Sequence, residues 1–174
     1  FIWQKNKQLY IKLATGIVIC LAWLASGPFW LGFNPLTKQI YVASLPFILF
    51  SLLPLLYWYH QSLISEHSWQ FSRQSTKHIF PCILALLLSI SIDLMPADEF
   101  DNLFFQQTKA LTLWSTFNAA FFAFMVFLWF LLSSYYLVRI IRLTKHYHSK
   151  LHNIFANHDN KKLNWLTLFT AWMI

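Results

Sequence analysis

The chain has 174 residues, of which 57% are apolar, 20% are aromatic and only 11% are charged, with a formal net charge of +7. Soluble domains carry about 25% charged residues, so this composition excludes an ordinary soluble domain, and its hydrophobicity excludes intrinsic disorder. We predict an all-α polytopic membrane protein, in which the positive charge lies in loops and does not indicate nucleic-acid binding.

Four apolar segments approach the ~20 residues that a helix needs to cross a bilayer. They cover residues 13–33, 40–59, 79–95 and 111–138. Because a segment in lipid must satisfy its own backbone groups, each is predicted to be a spanning helix in one bundle. Residues 1–12 are predicted to be a cytoplasmic N-terminal segment and residues 139–162 a cytoplasmic, amphipathic basic helix. Residues 163–174 are interpreted as the start of a fifth span. We therefore expect the chain to be part of a longer protein.

Prolines and glycines divide these segments. Gly27 interrupts the first span near its end, a turn is expected at Asn34, and the third span should end after Met95. Pro46 and Pro54 lie inside the second span and are expected to kink it, with neighbouring helices satisfying the carbonyl groups that they free.

The basic residues predict the orientation. Lys38 and Lys109 lie in the loops on one side, whereas the other side carries the remaining eleven of thirteen: Lys5, Lys7, Lys12, Arg73, Lys77, Arg139, Arg142, Lys145, Lys150, Lys161 and Lys162. The positive-inside rule places this second side in the cytoplasm. We predict a multi-pass protein of a bacterial inner membrane with a cytoplasmic N-terminus. Most of the acidic residues then lie on the outer side.

A polar group is predicted between the outer ends of spans three and four. Asp93 lies in apolar sequence, and an ionisable residue near the bilayer usually faces the bundle interior or a wet cavity. Trp114 and Asn118 lie at similar depth in span four, and Asp98 follows in the outer loop. We predict that these four residues bind a ligand. Interhelical hydrogen bonds and the ordinary acidity of an outer loop are the structural alternatives.

No metal or cofactor site is predicted. All seven histidines fall on the cytoplasmic side, and His148 and His152 would share one face of a helix. Two imidazoles do not make a closed ligand set, and only Asp159 lies near them in the sequence. Cys20 and Cys82 lie in apolar segments and are interpreted as buried, inert thiols. The common enzyme motifs for metal hydrolysis, acyl transfer and phosphate binding are absent from the sequence.

Span four is predicted to continue into the cytoplasm as an amphipathic helix. Apolar and weakly polar residues recur there at steps of three and four, while most of the basic residues lie off that stripe. We predict that the stripe transmits movement out of the membrane through Leu137, Ile141, Thr144, Tyr147 and Leu151. The alternative is a helix that lies on anionic headgroups.

Three stretches resemble a known family. The first is residues 53–59 (Leu-Pro-Leu-Leu-Tyr-Trp-Tyr), followed by Ser62-Leu63 and by residues 77–81 (Lys-His-Ile-Phe-Pro). The second is the basic helix up to Ala156, and the third is residues 163–166 (Leu-Asn-Trp-Leu). Over about residues 45 to 170 this order is similar to the multi-span N-terminal sensor region of bacterial membrane-bound AraC-type transcription regulators. The resemblance implies two more spans and then a cytoplasmic helix-turn-helix domain outside this chain.

The leading hypothesis is a sensor module without enzyme activity. Its expected partners are the lipid bilayer, an unidentified signal ligand, another copy through helix–helix association, and DNA only through the domain outside this chain. The first alternative is a subunit of a polytopic enzyme or transporter that acts on a hydrophobic or lipid-linked substrate. The second is a small structural subunit of a membrane complex.

The predicted orientation is tested by labelling intact cells with a membrane-impermeant maleimide. Asp98 and His148 are each replaced by Cys in a chain whose Cys20 and Cys82 are Ala. We expect labelling at position 98 and protection at position 148 until the membrane is permeabilised, because the basic side faces the cytoplasm. Labelling of position 148 in intact cells would contradict the orientation.

Overall fold

The computed structural model describes residues 2–64, 75–106 and 110–154 and residue 172, with side chains described in 9–64, 77–106 and 110–147 and at 172. In these residues all regular secondary structure is helical, which confirms the all-α prediction for them. The helices are α1 (Ile2–Ala25), α2 (Gly27–Phe33), α3 (Pro35–Ile64), α4 (Phe80–Asp93), α5 (Ala97–Asp101) and α6 (Leu113–Ile154). A short 3-10 helix, Ser75–His78, precedes α4, and one π-helical turn, Asn102–Gln106, follows α5.

Two of the described helices are long and apolar enough to cross a membrane, over Pro35–Ile64 and Leu113–Tyr147. Two bent pairs raise the number to four if each pair is one span. The first joins Leu9–Ala25 to Gly27–Phe33 at 43°, and the second joins Phe80–Asp93 to Ala97–Gln106 at 113°. The chain is therefore a helical membrane protein with two clear spans and up to four in its described part.

The helices differ from the predicted segments at their ends. Helix α1 begins at Ile2, inside the segment that was predicted to precede the first span. Helix α6 continues from the predicted fourth span into the predicted basic helix, as expected, and forms one helix of 42 residues. The rest of the predicted basic helix and the predicted fifth span, residues 163–174, lie outside the described residues, apart from the exposed Trp172.

The described helices contribute to two compact units. Unit 1 contains α1 up to Ile17, α3 from Leu53 and α6 from Phe130, and unit 2 contains the remaining described helices and helix parts. The buried apolar side chains of unit 1 include Leu13, Ile17, Leu53, Leu56, Trp58, Tyr136 and Ile140. Those of unit 2 include Phe50, Ala85, Leu88, Ile92, Met95, Phe100 and Met125.

Helix α3 is continuous through both of its prolines. Since Pro54 has no N–H, the carbonyl of Phe50, four residues earlier, loses its donor within the helix. The thiol of Cys82 in α4 donates to this carbonyl oxygen at 3.4 Å. A neighbouring helix thus satisfies the carbonyl that a proline frees, as the sequence predicted.

A single residue separates α2 from α3. The backbone of Asn34 is extended. Its side-chain Oδ1 accepts a hydrogen bond from the backbone N–H of Thr37 at 2.8 Å. In return, Thr37 Oγ1 accepts a hydrogen bond from the backbone N–H of Asn34 at 3.2 Å. This reciprocal cap satisfies donors at the start of α3, where Pro35 needs none. The turn predicted at Asn34 is therefore a helix cap.

The break between α1 and α2 depends on a close approach of α3. Ser26 Oγ donates to the carbonyl of Trp23 at 2.6 Å and accepts from Trp30 Nε1 at 2.9 Å. The hydroxyl of Tyr41 in α3 donates to the carbonyl of Leu24 at 2.9 Å. A Cβ atom at Gly27 would lie 2.7 Å from the Tyr41 hydroxyl oxygen, so only glycine leaves room for this contact.

Replacing Gly27 with Ala is expected to lower the free energy of unfolding by about 1–3 kcal/mol, because the new methyl group overpacks against Tyr41. Gly32→Ala in α2 is the matched control, since a Cβ there meets no atom within 4 Å and Ala is the better helix former. Thermal unfolding in detergent measures both. Equal midpoints for the two variants would contradict the close approach.

Candidate functional site at the acidic end of unit 2

The acidic end of unit 2 is the region that holds Asp93, Asp98, Glu99 and Asp101, around the sharp bend between α4 and α5. The last carbonyl groups of a helix have no donor within that helix. At the end of α4 these groups lie beside buried apolar side chains, Ile92 and Met95 among them. The backbone N–H groups of Leu94 and Met95 bond back to the carbonyls of Ile90 and Ile92, so the carbonyls of Asp93 and Met95 are the ones that need donors from another part of unit 2.

Gln39 of α3 supplies these donors. Its side-chain Nε2 donates to the carbonyl oxygens of Ile92 at 3.2 Å, Asp93 at 3.1 Å and Met95 at 2.7 Å. An amide group has two N–H bonds, so at least one of them is shared between carbonyls. Sequence reasoning missed Gln39, and the only signal was one uncharged polar residue at the start of an apolar segment.

Lys38, the preceding residue, ties the α5 segment to α3. Its ammonium group forms an ion pair with Asp101 and lies 4.1 Å from the centroid of the Phe105 ring. The lysine side chain is 19% exposed and the aspartate side chain 27%, so the pair is partly shielded from solvent. Asp101 of α5 is thereby neutralised by a lysine of α3, and Phe100 beside it is buried.

A second set of polar contacts begins at the start of α6. The hydroxyl of Thr112 donates to Glu99 Oε2 at 2.8 Å, and Ser115 Oγ lies 3.2 Å away as its alternative acceptor. The hydroxyl of Ser115 itself donates to the carbonyl of Thr112 at 3.0 Å. One turn further on, Asn118 Oδ1 accepts from the hydroxyl of Ser91 in α4 at 2.7 Å, and Asn118 Nδ2 donates to the carbonyl of Trp114 at 3.0 Å. We call Ser91, Glu99, Thr112, Ser115 and Asn118 the polar cluster.

The polar cluster contains one of the four predicted ligand residues. Asn118 is 0% exposed and bonds to α4 through Ser91. Trp114 is 47% exposed and stacks on Phe117, with the ring centroids 6.2 Å apart. Asp98 is exposed on α5. The interhelical hydrogen bond that was considered as an alternative is present at Asn118, and ligand binding by these residues stays a prediction.

Asp93 does not join the polar cluster. It lies two residues after Ser91, which is about 200° around the axis of α4, and its side chain is exposed. Within the described residues its carboxylate has no hydrogen-bond or ion-pair partner. The prediction grouped Asp93 with Asn118 because both lie near the same ends of their spans. Position along a span does not indicate which side of the helix a residue occupies.

The polar cluster ends at Asn118, and the next hydrogen bond from α6 to another helix of unit 2 runs from Trp129 Nε1 to the carbonyl of Leu49 at 3.4 Å. The next buried side chain on α6 is the apolar Met125, and Phe122 packs edge-on against Phe104 at 5.6 Å between the ring centroids. Ser89 in α4 is buried, but its hydroxyl has no hydrogen-bond partner in the described part of the chain. In unit 2 the buried residue that follows the polar cluster along α6 is therefore apolar.

The second half of α6 carries the predicted stripe. In unit 1 its buried residues are Ser133, Tyr136, Ile140 and Thr144, and Tyr136 contacts the ring of Tyr57 at 5.7 Å between centroids. Of the residues predicted to transmit movement, Thr144 is buried and Leu137, Ile141 and Tyr147 are half-buried. Leu151 is helical, and its side chain lies outside the described part. The role in transmission stays a prediction.

The histidine pair considered as a metal site lies outside the described side chains. Among the described residues no three His, Cys, Asp or Glu side chains lie close enough to hold a metal ion. His148, His152 and Asp159 lie outside the described side chains. Cys20 is buried and Cys82 half-buried, and both are free thiols.

Comparisons of this chain with models of protein families, with curated proteins and with solved structures give no match. The resemblance to AraC-type sensor regions therefore rests on the sequence stretches alone.

Replacing Gln39 with Leu is expected to lower the free energy of unfolding by about 1–3 kcal/mol, since it leaves the buried carbonyl of Met95 without a donor. Gln39→Glu should cost more, because a carboxylate would face three carbonyl oxygens. Gln106→Leu, at an exposed position, is the matched control and should change stability by less than ~0.5 kcal/mol. Unfolding in detergent measures all three, and equal effects at positions 39 and 106 would rule out the capping role.

Proposed function

We propose that this chain is the membrane-embedded, signal-sensing module of a bacterial transcription regulator. The acidic end would face the periplasm and receive the signal, and α6 would relay it to the cytoplasm. A DNA-binding domain outside this chain would give the output, as the resemblance to AraC-type sensor regions implies. The inner membrane, the cytoplasmic N-terminus and the DNA partner are parts of this proposal.

The observation that carries the proposal is the continuity of α6. The helix has 42 residues, and at 1.5 Å per residue it is about 63 Å long, about twice the ~30 Å of a hydrocarbon core. Its start holds the polar cluster, and its second half carries buried residues opposite exposed basic ones. A continuous helix with a polar contact at one end and an amphipathic segment at the other is suited to transmit a small movement.

The polar cluster supports the receiving role. Thr112 and Asn118 hold the first turns of α6 to Glu99 of α5 and Ser91 of α4 by two side-chain hydrogen bonds. A signal molecule that competes for these groups would favour an arrangement in which α6 is released from α4. The shift requires that the signal bind one arrangement better than the other, because equal affinity shifts nothing.

The alternative function, an enzyme or transporter subunit for a hydrophobic or lipid-linked substrate, has one observation in its favour. Asp93 and Asp98 are exposed at the acidic end, where they are open to a substrate. A transporter, however, needs a polar route that continues through the membrane, and the polar cluster of unit 2 ends at Asn118, ahead of Met125. We therefore favour the sensor.

Asn118→Leu should shift the signal response while leaving DNA binding intact. Interhelical hydrogen bonds in membranes contribute about 0.6–1.7 kcal/mol, so we expect a roughly threefold to eighteenfold change in the signal concentration for half-maximal output. The measurement is a transcription reporter driven by the full-length regulator, with DNA binding of the purified protein in detergent as the second readout.

Thr116→Ala is the matched control for this experiment. Its hydroxyl bonds only to the carbonyl of Thr112 in its own helix, and the side chain is exposed, so the response should stay unchanged. An unaltered response in the Asn118 variant would contradict the receiving role of the polar cluster. Equal loss of signal response and DNA binding would indicate a general structural defect and would likewise count against it.

A further inference from the structure

We propose that Arg139, Arg142 and Lys145 form a binding surface for the phosphate groups of anionic phospholipids. We call these three residues the basic face of α6. The inference concerns a lipid partner and goes beyond the proposed sensing function. It rests on the direction, the depth and the unbalanced charge of these three side chains.

The basic face points away from the rest of unit 1. All three side chains are exposed, whereas Tyr136, Ile140 and Thr144 are buried. At 100° per residue the three cations fall within an arc of about 120°. The three buried residues fall within an arc of about 80°, and the centres of the two arcs are about 160° apart. Helix α6 thus packs through one side and offers its cations on the other.

Tyr135 sets the depth of the basic face. The Nε–H of Arg139 donates to the Tyr135 hydroxyl oxygen at 2.9 Å, and the guanidinium lies 5.4 Å from the centre of the tyrosine ring. Tyrosine rings favour the headgroup layer, where the ring is in apolar surroundings and the hydroxyl is wet. Arg139 is therefore held at the level of lipid phosphates. No described residue accepts a hydrogen bond from its two terminal guanidinium nitrogens.

The cations have no described carboxylate to balance them. None of the described residues of unit 1 is acidic, and the two acids of its sequence stretches, Glu66 and Asp159, lie outside the described residues. Three like charges on one face repel one another, and a layer of anionic headgroups relieves that repulsion. The surface is thus complementary in charge to a phosphate layer.

The residues just before the basic face favour a lipid over an acidic protein. Phe130 is 64% exposed, Leu131 49% and Val138 45%, so a large apolar surface adjoins the cations on the same helix. A phospholipid matches this order, because its acyl chains cover the apolar part while its phosphate meets the arginines. An acidic protein surface would match the cations and leave the apolar part uncovered.

The experiment uses the full-length protein in phosphatidylcholine vesicles that contain traces of spin-labelled phosphatidylglycerol or spin-labelled phosphatidylcholine. Electron paramagnetic resonance gives the fraction of each label held at the protein. We expect the wild type to prefer phosphatidylglycerol and the variant R139Q/R142Q/K145Q to lose that preference. A cation near a membrane surface contributes about 1 kcal/mol, so each neutralised residue should lower the preference by up to roughly fivefold.

The charge-conserving variant R139K/R142K/K145R is the matched control and should keep the preference. The single variant R142Q tests the proposal even if the triple variant fails to fold, because Arg142 is exposed and should give an intermediate preference. Equal binding of the two labelled lipids by the wild type would overturn the proposal, as would an unchanged preference after neutralisation. If inorganic phosphate abolishes the preference and chloride of equal ionic strength does not, the surface binds small anions and the lipid assignment is wrong.

Discussion

The constraint on which unit 2 depends is that a carbonyl group at a helix break in apolar surroundings needs a donor from elsewhere. Helix α3 supplies that donor at both of the bends of unit 2. The hydroxyl of Tyr41 donates to the carbonyl of Leu24 at the break between α1 and α2. The side-chain amide of Gln39 donates to the carbonyl of Met95 just after α4. These two side chains are two residues apart and therefore lie on opposite sides of α3. One helix thus stabilises two breaks that would otherwise leave unsatisfied carbonyls.

Helix α6 carries residues of both the proposed sensing function and the proposed lipid-binding surface. At its start α6 is held to α4 and α5 by Asn118 and Thr112, and further along it carries a buried side and a basic side. The buried side is the part that packs within unit 1, and the basic side is free to meet a phosphate layer. Sensing and lipid binding therefore use different faces of one helix, so that a change in one need not abolish the other.

Several features of the fold and the candidate site were predictable because they depend on local sequence. The apolar segments and the amphipathic stripe around Thr144 follow from composition and from a period of about 3.6 residues. The cap at Asn34 and the donor from a neighbouring helix near Pro54 follow from the backbone chemistry of proline. The roles of Gln39 and Tyr41 were not predictable, since each bonds to a carbonyl that any residue type could offer.

The sequence by itself determined that this is a helical membrane protein, because an apolar, weakly charged chain must satisfy its backbone within helices wherever it meets lipid. Only the tertiary structure decided that Asn118 pairs with Ser91 while Asp93 points away, and that Lys38 pairs with Asp101. Composition and periodicity fix which residues are apolar and how deep they lie. The partner of a polar side chain depends on the rotation and bending of neighbouring helices, which are set by contacts between residues far apart in the chain.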